Sequence, residues 1–287
     1  MKIGLGTAQF GMDYGISNNR GKIPKKEVFE ILDKAFSSGI NLLDTAVEYG
    51  TSQELIGEFL KNNPKLKDIK IVTKDKCKNI KNIKKNFEIS LSLLNINKLY
   101  GLLLHDFKQY EKNPNRWNEL EKLKQENKVE KIGFSLYYPR ELEKIINDKL
   151  TIDLIQIPYN IFDRRFEKFF PYLKKHKVEI HARSIFMQGL FFKDPEKVDG
   201  YFDKIKNKIK KIRKISQNND ISIAHLCIKF VDMNNNINKL IIGVDSLKNL
   251  KENLNYNKKN LTIDIINDLD SMRVNDENLL IPSNWPK

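Results

Sequence analysis

Four residues of this chain carry groups that hold or move protons, and each follows a short apolar run. Asp44 and Tyr49 follow Ile40 to Leu43, Lys74 follows Ile69 to Thr73, and His105 follows Leu99 to Leu104. A phenol has an ordinary pKa near ~10, so as a proton donor at neutral pH it needs a neighbouring cation that favours its ionised form. Lys74 can supply that charge, Asp44 can pair with the ammonium and hold it, and His105 can orient a carbonyl oxygen toward the Tyr49 hydroxyl. Such a set suits carbonyl reduction. No side chain provides a hydride, so a nicotinamide cofactor must bring it. Each residue alone has an ordinary reading as a turn former, a packing phenol, a surface lysine or a structural histidine; only the four together point to this chemistry.

Together they need a scaffold that brings the carboxyl ends of successive strands to one face. Short β-branched or Leu-rich runs alternate with longer segments of helical period along the chain, which is the pattern of a parallel α/β fold. Eight strands are expected, at Ile3–Leu5, Ile40–Leu43, Ile69–Thr73, Leu99–Leu104, Lys131–Phe134, Leu154–Ile157, Val178–Ala182 and Leu240–Gly243. Helices are expected at Lys25–Ser37, Ser52–Lys61, Ile83–Leu94, Arg116–Gln125, Pro139–Ile146, Asp163–His176, Tyr201–Ser216 and from Leu247 onward. Pro24 and Glu27 mark the start of the first helix and Gly39 its end, and Pro139 stands at a first helical position. Eight such units fit a (β/α)8 TIM barrel spanning 1–287 as a single domain, with active-site residues at the carboxyl ends of its strands. An extra helix over Asp220–Asp232 precedes the last strand, with His225 and Cys227 as packing residues, and a C-terminal tail follows Leu261. A doubly wound sheet would show a glycine-rich nucleotide turn, and Gly4-x-Gly6 lacks the third glycine.

Composition narrows the function classes. The chain has 287 residues, 40% hydrophobic and 31% charged, with a formal charge of +14. The positive excess is diffuse; its densest run, Lys204 to Lys214, carries a helical stripe of Ile205, Ile209 and Ile212, which marks a solvated helix face rather than a nucleic-acid stripe. A positive field favours capture of anionic small molecules such as a dinucleotide. Two distant cysteines, Cys77 and Cys227, and four scattered histidines form neither a disulfide framework nor a metal motif. No secretory signal or membrane span stands out, so a cytoplasmic protein is expected, with a small-molecule partner and neither nucleic acid nor membrane.

The chain resembles the aldo-keto reductases over essentially its whole length. The motifs that carry the resemblance are L-G-T-A-Q-F-G at Leu5–Gly11, D-T-A-x-x-Y-G followed by E-L-I-G at Asp44–Gly57, V-T-K ending at Lys74, and H-D at His105. The resemblance implies Asp44, Tyr49, Lys74 and His105 as the catalytic set and NAD(P)H as the cofactor, with NADPH favoured and NADH not excluded. It implies cofactor contacts from Gly6 and Thr7, from Ser135 in G-F-S, from Gln156 and its neighbour Asn160 in Q-I-P-Y-N, and from Ser184 and Gly189 in A-R-S-I-F-M-Q-G-L. The motif G-V-D-S-L-K-N-L-K-E-N-L adds Gly243, Ser246, Glu252 and Asn253 toward the adenosine end.

Three positions depart from the family pattern. Leu136 follows Ser135 where the family often has Asn, and Arg183 stands where many members stack a tyrosine on the nicotinamide. Asn249 replaces a frequent Arg at the adenosine phosphate, where Lys248 or Lys251 could supply a point charge instead. The extended N-terminal motif L-G-T-A-Q-F-G-M-D-Y-G-I-S-N resembles a bacterial subgroup associated with carbohydrate and surface-polysaccharide genes, which suggests a sugar or nucleotide-sugar carbonyl. Loops at Asp106–Asn115 and Phe192–Gly200 are expected to shape the substrate pocket. The alternative is a cofactor-binding regulatory protein on the same barrel that acts through partners.

Overall fold

The computed structural model describes residues 1–66, 68–76, 83–198, 200–256 and 260–286; Cys77 lies outside the described residues. Eight parallel strands, β1 (Ile3–Gly6), β2 (Leu42–Asp44), β3 (Lys70–Asp75), β4 (Leu99–Leu104), β5 (Val129–Ser135), β6 (Leu154–Pro158), β7 (Glu179–Arg183) and β8 (Lys239–Gly243), pair in chain order and close with β8 against β1. This is the (β/α)8 barrel expected from the alternation. The outer elements are α1 (Ala8–Gly11), α2 (Lys25–Ser37), α3 (Ser52–Asn62), α4 (Ile83–Leu94), α5 (Phe107–Lys112), α6 (Asn115–Gln125), α7 (Pro139–Asn147), α8 (Phe170–Lys175), α9 (Asp203–Asn219), α10 (Ile223–Asp232), α11 (Leu247–Leu254), α12 (Ile263–Asp270) and α13 (Glu277–Leu280).

The helices dock by apolar stripes. Val28, Ile31, Leu32 and Ala35 are the buried face of α2, and Ile205, Ile209, Ile212 and Ile215 that of α9, whose lysines face outward. The helix expected over Asp163–His176 is shorter. Pro171 sits in the first turn of α8, where its missing N–H costs nothing, and a separate 3-10 turn covers Glu167–Phe169. Ahead of that turn, the Asn160 carboxamide oxygen accepts from the N–H groups of Phe162 and Asp163, an alternative that competes with helix.

The barrel has two cores. Between strands and helices lies a large apolar shell, and inside the barrel a small separate cluster contains Leu42, Val72, Tyr100, Leu103, Leu154 and Ile241. Glycines fill the remaining interior. A Cβ on Gly4 would meet Leu42 and Ile241 side chains, and one on Gly101 would meet Leu154 and Val72. Side chains alternate along a strand, so two residues beyond each interior position the next inward-facing side chain emerges at the carboxyl end. The chemistry of the site sits in that set.

The tail after Leu261 packs on the segments that follow β6 and β7, and none of its described residues lines the large cavity at the barrel mouth. Trp285 donates to the Leu279 carbonyl at 3.0 Å and meets Phe202 edge-on at 5.1 Å between centroids, and Arg165 pairs with Glu277 at 2.9 Å. Among the described residues, no helix is long and apolar enough to cross a membrane, and no group of three or more His, Cys, Asp or Glu could hold a metal ion.

Two motif glycines clamp the loop that carries Tyr49. A Cβ on Gly11 would lie 1.7 Å from the Tyr49 carbonyl oxygen, and Gly50, at φ +54°, approaches Gly11 so closely that its Cβ would lie 2.3 Å from the Gly11 carbonyl. Both contacts are to backbone and cannot relax cheaply. Gly11→Ala is expected to destabilise the protein by about 1–3 kcal/mol, the usual cost of overpacking. Gly200→Ala, with only Asp203 at 3.6 Å, should stay within about 0.5 kcal/mol of wild type. Urea midpoints of the two variants measure the difference.

Candidate active site

Apart from Tyr49, which the loop after β2 supplies, the residues of the central cluster are inward-facing positions one alternation beyond an interior one. Asp44 follows Leu42, Lys74 follows Val72, His105 follows Leu103, Gln156 follows Leu154 and Arg183 follows His181; Ser135 and Gly243 follow Gly133 and Ile241 in the same way. Asp44 and Lys74 therefore belong to the last residues of β2 and β3 rather than to the loops beyond them.

The Lys74 ammonium is fully buried, with its side chain 1% exposed against 5% for Asp44. It donates to Asp44 Oδ2 at 2.7 Å, to the Thr45 carbonyl at 3.0 Å and to the Tyr49 hydroxyl oxygen at 3.5 Å, which uses its three protons. Gln156 Nε2 donates to the other Asp44 oxygen at 2.6 Å. Beneath them a chain of hydroxyls fixes the backbone: Ser52 donates to Thr7 Oγ1 at 2.8 Å, and Thr7 to the Asp44 carbonyl at 3.0 Å. A buried ion pair with both carboxylate oxygens and all three ammonium protons engaged holds its geometry; removing one partner typically costs about 3–5 kcal/mol.

Tyr49 and His105 stand edge-to-face with centroids 6.1 Å apart. His105 Nδ1 lies 2.9 Å from Glu48 Oε2, and the other Glu48 oxygen accepts from the Lys76 N–H at 3.1 Å. Burial pushes the Tyr49 phenol well above its ordinary range and Asp44 adds to the rise, while the Arg183 charge opposes it. The lowered phenol expected from Lys74 is thus not found; the site holds Tyr49 protonated. Burial also lowers the His105 pKa, the Glu48 hydrogen bond raises it, and Lys74 and Arg183 lower it, with a net decrease. For Glu48, burial acts upward, but His105 outweighs it and keeps the carboxyl below its ordinary value.

These groups open into a cavity of about 420 Å³. It runs from Tyr49 and His105 past Ser135 and Gln156 to Asp245 and to Asn249 and Glu252 of α11. Two buried atoms on its wall, Ser135 Oγ and Gln156 Oε1, have no hydrogen-bond partner among the described residues. Buried polar atoms rarely stay unpaired, so these mark where a ligand with its own donor and acceptor would bind.

The model of the Aldo/keto reductase family matches residues 2–274. The chain belongs to the aldo/keto reductase family. It is 26% identical over 298 residues to an uncharacterized oxidoreductase, YqkF, of Bacillus subtilis, covering 94% of this chain and 92% of that one. It is 29% identical over 182 residues to the uncharacterized oxidoreductase C28F2.05 of Schizosaccharomyces pombe, with 61% and 66% covered. Among solved structures, the holo form of aldo-keto reductase AKR11C1 from Bacillus halodurans superposes with a TM-score of 0.77 at 22% identity, over 94% of this chain and 91% of that one. Aldo/keto reductases reduce carbonyl groups with NAD(P)H, so the chain is an NAD(P)H-dependent oxidoreductase acting on a small carbonyl compound.

Of the residues expected to approach an aldo/keto reductase cofactor, Gly6, Thr7, Ser135, Gln156, Arg183, Ser184 and Gly189 line the cavity, as do Gly243, Asn249, Glu252 and Asn253. Ser246 and Asn160 do not. Ser246 caps α11 by accepting from the Asn249 N–H at 3.2 Å, and Asn160 donates to the Ser184 carbonyl at 3.0 Å, holding the loop after β7. That loop carries Ser184, Met187, Gln188 and Gly189 at positive φ, a costly run of the kind that clusters at ligand clamps. His225 is half-buried, its Nε2 2.8 Å from the Glu252 carbonyl oxygen, and Cys227 is buried. Phe192 borders the cavity, whereas no residue of 106–115 does.

Sequence reasoning passed over Glu48, Tyr14, Tyr137 and Gln188. Glu48 and Tyr14 stood inside the motifs, but nothing in their spacing says where they point. Gln188 donates to the Tyr14 hydroxyl oxygen at 3.1 Å, and the Ile16 N–H bonds the Gln188 carbonyl at 3.0 Å, so the segment after α1 folds over the mouth through contacts 174 residues apart.

The His105 environment sets a titration. Its folded pKa is lowered, so the unfolded chain binds the proton more tightly and this group's contribution to stability is lost as pH falls below about 6.5. In an NMR titration His105 is expected to titrate below about 6.5. Glu48→Gln removes the upward contribution and should move it further down. An upward move would show that the pair does not form in solution.

Proposed function

We propose that Tyr49 is the general acid of carbonyl reduction in this protein, with Lys74 stabilising its developing phenolate, Asp44 anchoring Lys74 and His105 forming the wall beside the Tyr49 hydroxyl. The observation that carries the reading is the Lys74 ammonium, aimed at both Asp44 and the Tyr49 oxygen on the wall of the same cavity that holds the unpaired Ser135 and Gln156 atoms. A bound nicotinamide supplies the hydride. Its carboxamide fits those two atoms: Gln156 Oε1 can accept from the amide NH2 and Ser135 can donate to the amide oxygen. Gln156 also holds Asp44, so cofactor and proton machinery share one residue. Leu136 is buried and gives its carbonyl to Arg183, so it offers no side-chain contact to replace the missing amide.

At the adenosine end, the Asn249 carboxamide is tied to Asp245, and Glu27 takes the Leu247 N–H at 3.1 Å. A guanidinium does stand there, but it is spent on the protein: Arg20 pairs with both Glu27 oxygens at 2.7 and 3.1 Å and donates to the Asp245 carbonyl at 2.8 Å. Lys248 has a side chain 83% exposed and stands 3.9 Å from Glu252, loosely enough held to turn toward a phosphate. NADPH is therefore the proposed reductant, favoured by a mobile point charge of the kind worth up to ~1 kcal/mol, or less than about tenfold over NADH. The hydroxyl and amide groups of Ser17, Asn18 and Gln188 on the cavity wall suit a hydroxylated substrate, which keeps sugar carbonyls in the screen.

Tyr49→Phe tests the assignment. It is expected to bind NADPH as wild type does, by quenching of intrinsic fluorescence, while the reduction rate falls by about 10²–10⁴, the range for loss of a general acid. Wild-type rates in the variant would remove Tyr49 from the proposed role, and titration with NADH beside NADPH reads the phosphate preference.

A further inference from the structure

Arg183 is the inward-facing residue at the carboxyl end of β7, and its guanidinium lines the cavity. It donates to the Leu136 carbonyl at 2.9 Å and to Ser184 Oγ at 3.2 Å, and packs 4.0 Å from the centroid of the Tyr137 ring. These contacts fix the cation without neutralising it. Neither acceptor is charged, and no carboxylate lies within ion-pair distance of Arg183 among the described residues.

The acidic groups around it are committed elsewhere. Asp44 holds Lys74 and Gln156, Glu48 holds His105 and the Lys76 N–H, and Glu141 accepts from the N–H groups of Tyr137 and Tyr138 at 2.7 and 3.0 Å. A guanidinium carries five N–H donors, and only two of its nitrogens are engaged. Tyr14 adds a second donor on the same wall: its oxygen accepts from Gln188, which leaves its own O–H available. The Arg183 charge acts on both Tyr49 and His105, which puts it at the carbonyl end of the cavity rather than the end built by α11.

We propose that the substrate carries an anionic oxygen group, carboxylate or phosphate, besides its carbonyl, and that Arg183 with Tyr14 binds it. The inference rests on the carbonyl-reduction reading above. A pre-positioned guanidinium recognises planar or tetrahedral oxyanions through paired N–H donors, and none of the described residues supplies an anion within ion-pair distance of it. The competing role is stacking on the nicotinamide, where the charge would matter to the cofactor and not to the substrate.

Matched pairs of carbonyls separate the two: butyraldehyde against succinic semialdehyde, and glyceraldehyde against glyceraldehyde 3-phosphate, each at saturating NADPH. In the wild type the anionic member of at least one pair is expected to have kcat/KM higher by about tenfold or more, the scale of a charge-assisted hydrogen bond. Which pair shows it tells carboxylate from phosphate. Arg183→Gln should erase the preference through KM, Arg183→Lys should restore part of it, and the NADPH dissociation constant should move by less than about threefold. Equal rates within both pairs, or an Arg183→Gln variant that slows both members alike and weakens NADPH, would overturn the proposal. If no aldehyde is reduced, the carbonyl-reduction reading fails. The anion site is then judged by titrating the NADPH complex with succinate and inorganic phosphate: Arg183-dependent binding supports it, and its absence overturns it.

Discussion

A lysine ammonium buried inside a barrel is the constraint around which the rest of this structure is arranged. Taking an unpaired ammonium out of water costs many kcal/mol, so Lys74 is tolerable only where a carboxylate and further acceptors meet it. The barrel meets that need by register. β2 and β3 are neighbours with Asp44 opposite Val72, and Lys74, two residues on, faces the same interior and reaches back to Asp44 at 2.7 Å. Asp44 in turn needs a second donor, which β6 supplies as Gln156. The Thr45 carbonyl takes another ammonium proton, which fixes the start of the loop to Tyr49, and Gly11 and Gly50 let that loop lie against α1. The phenol thus ends near Lys74 because three strands and a loop satisfy one charge.

The opposite end of the barrel solves a similar problem around a carboxylate. The Glu179 carboxylate accepts from Lys131, from Tyr100 at 2.6 Å and from His181 at 2.9 Å. Burial pushes the Glu179 pKa up, but these partners outweigh it and keep the group ionised, while burial and Glu179 push Tyr100 up to about 12. Lys70 stands 4.4 Å from the centroid of the Tyr100 ring, and Lys239 donates to the Met1 carbonyl at 2.9 Å. These charges close the foot of the barrel, although His181 Nδ1 is buried there without a hydrogen-bond partner among the described residues. At the mouth, by contrast, the groups left over share the wall of one cavity: Ser135 Oγ and Gln156 Oε1 have no partner among the described residues, and Arg183 keeps N–H groups beyond its two hydrogen bonds. That asymmetry separates a structural charge cluster from a site.

The scaffold was legible because its signal is local. The short apolar runs at Leu99–Leu104 and Leu154–Ile157 mark strands whatever their partners, and Asp44, Lys74 and His105 stand out because each comes at or just beyond the end of such a run. What stayed hidden depends on long-range closure. Tyr14 reaches Gln188 only because the loops after β1 and β7 converge over the mouth, and Tyr137 matters because Arg183 from β7 packs on it. Glu48 was adjacent to Tyr49 in the motif, yet its role needs His105, 57 residues away, to be within reach. Asp163–His176 went wrong through local chemistry that was present, a proline and an Asn cap, outweighed in the reading by apolar period.

The Glu48–His105 contact also fixes which proton donors a carbonyl would meet. An ionised carboxylate can only accept, so His105 must carry its proton on Nδ1, which leaves Nε2 as the ring nitrogen for a ligand. In neutral His105 that Nε2 is a lone pair and cannot donate to a carbonyl oxygen; in the imidazolium it can. Burial and the charges of Lys74 and Arg183 favour the neutral ring, while Glu48 favours the charged one. In the proposed reaction, neutral His105 therefore packs against the substrate and leaves Tyr49 as the donor. Tyr49 keeps its proton in the ground state because burial and Asp44 oppose the phenolate, and Lys74, 3.5 Å away, favours that phenolate once the carbonyl oxygen takes the proton. Charge stabilisation is thus reserved for the moment of transfer, the condition under which binding energy accelerates a reaction rather than merely tightening a complex.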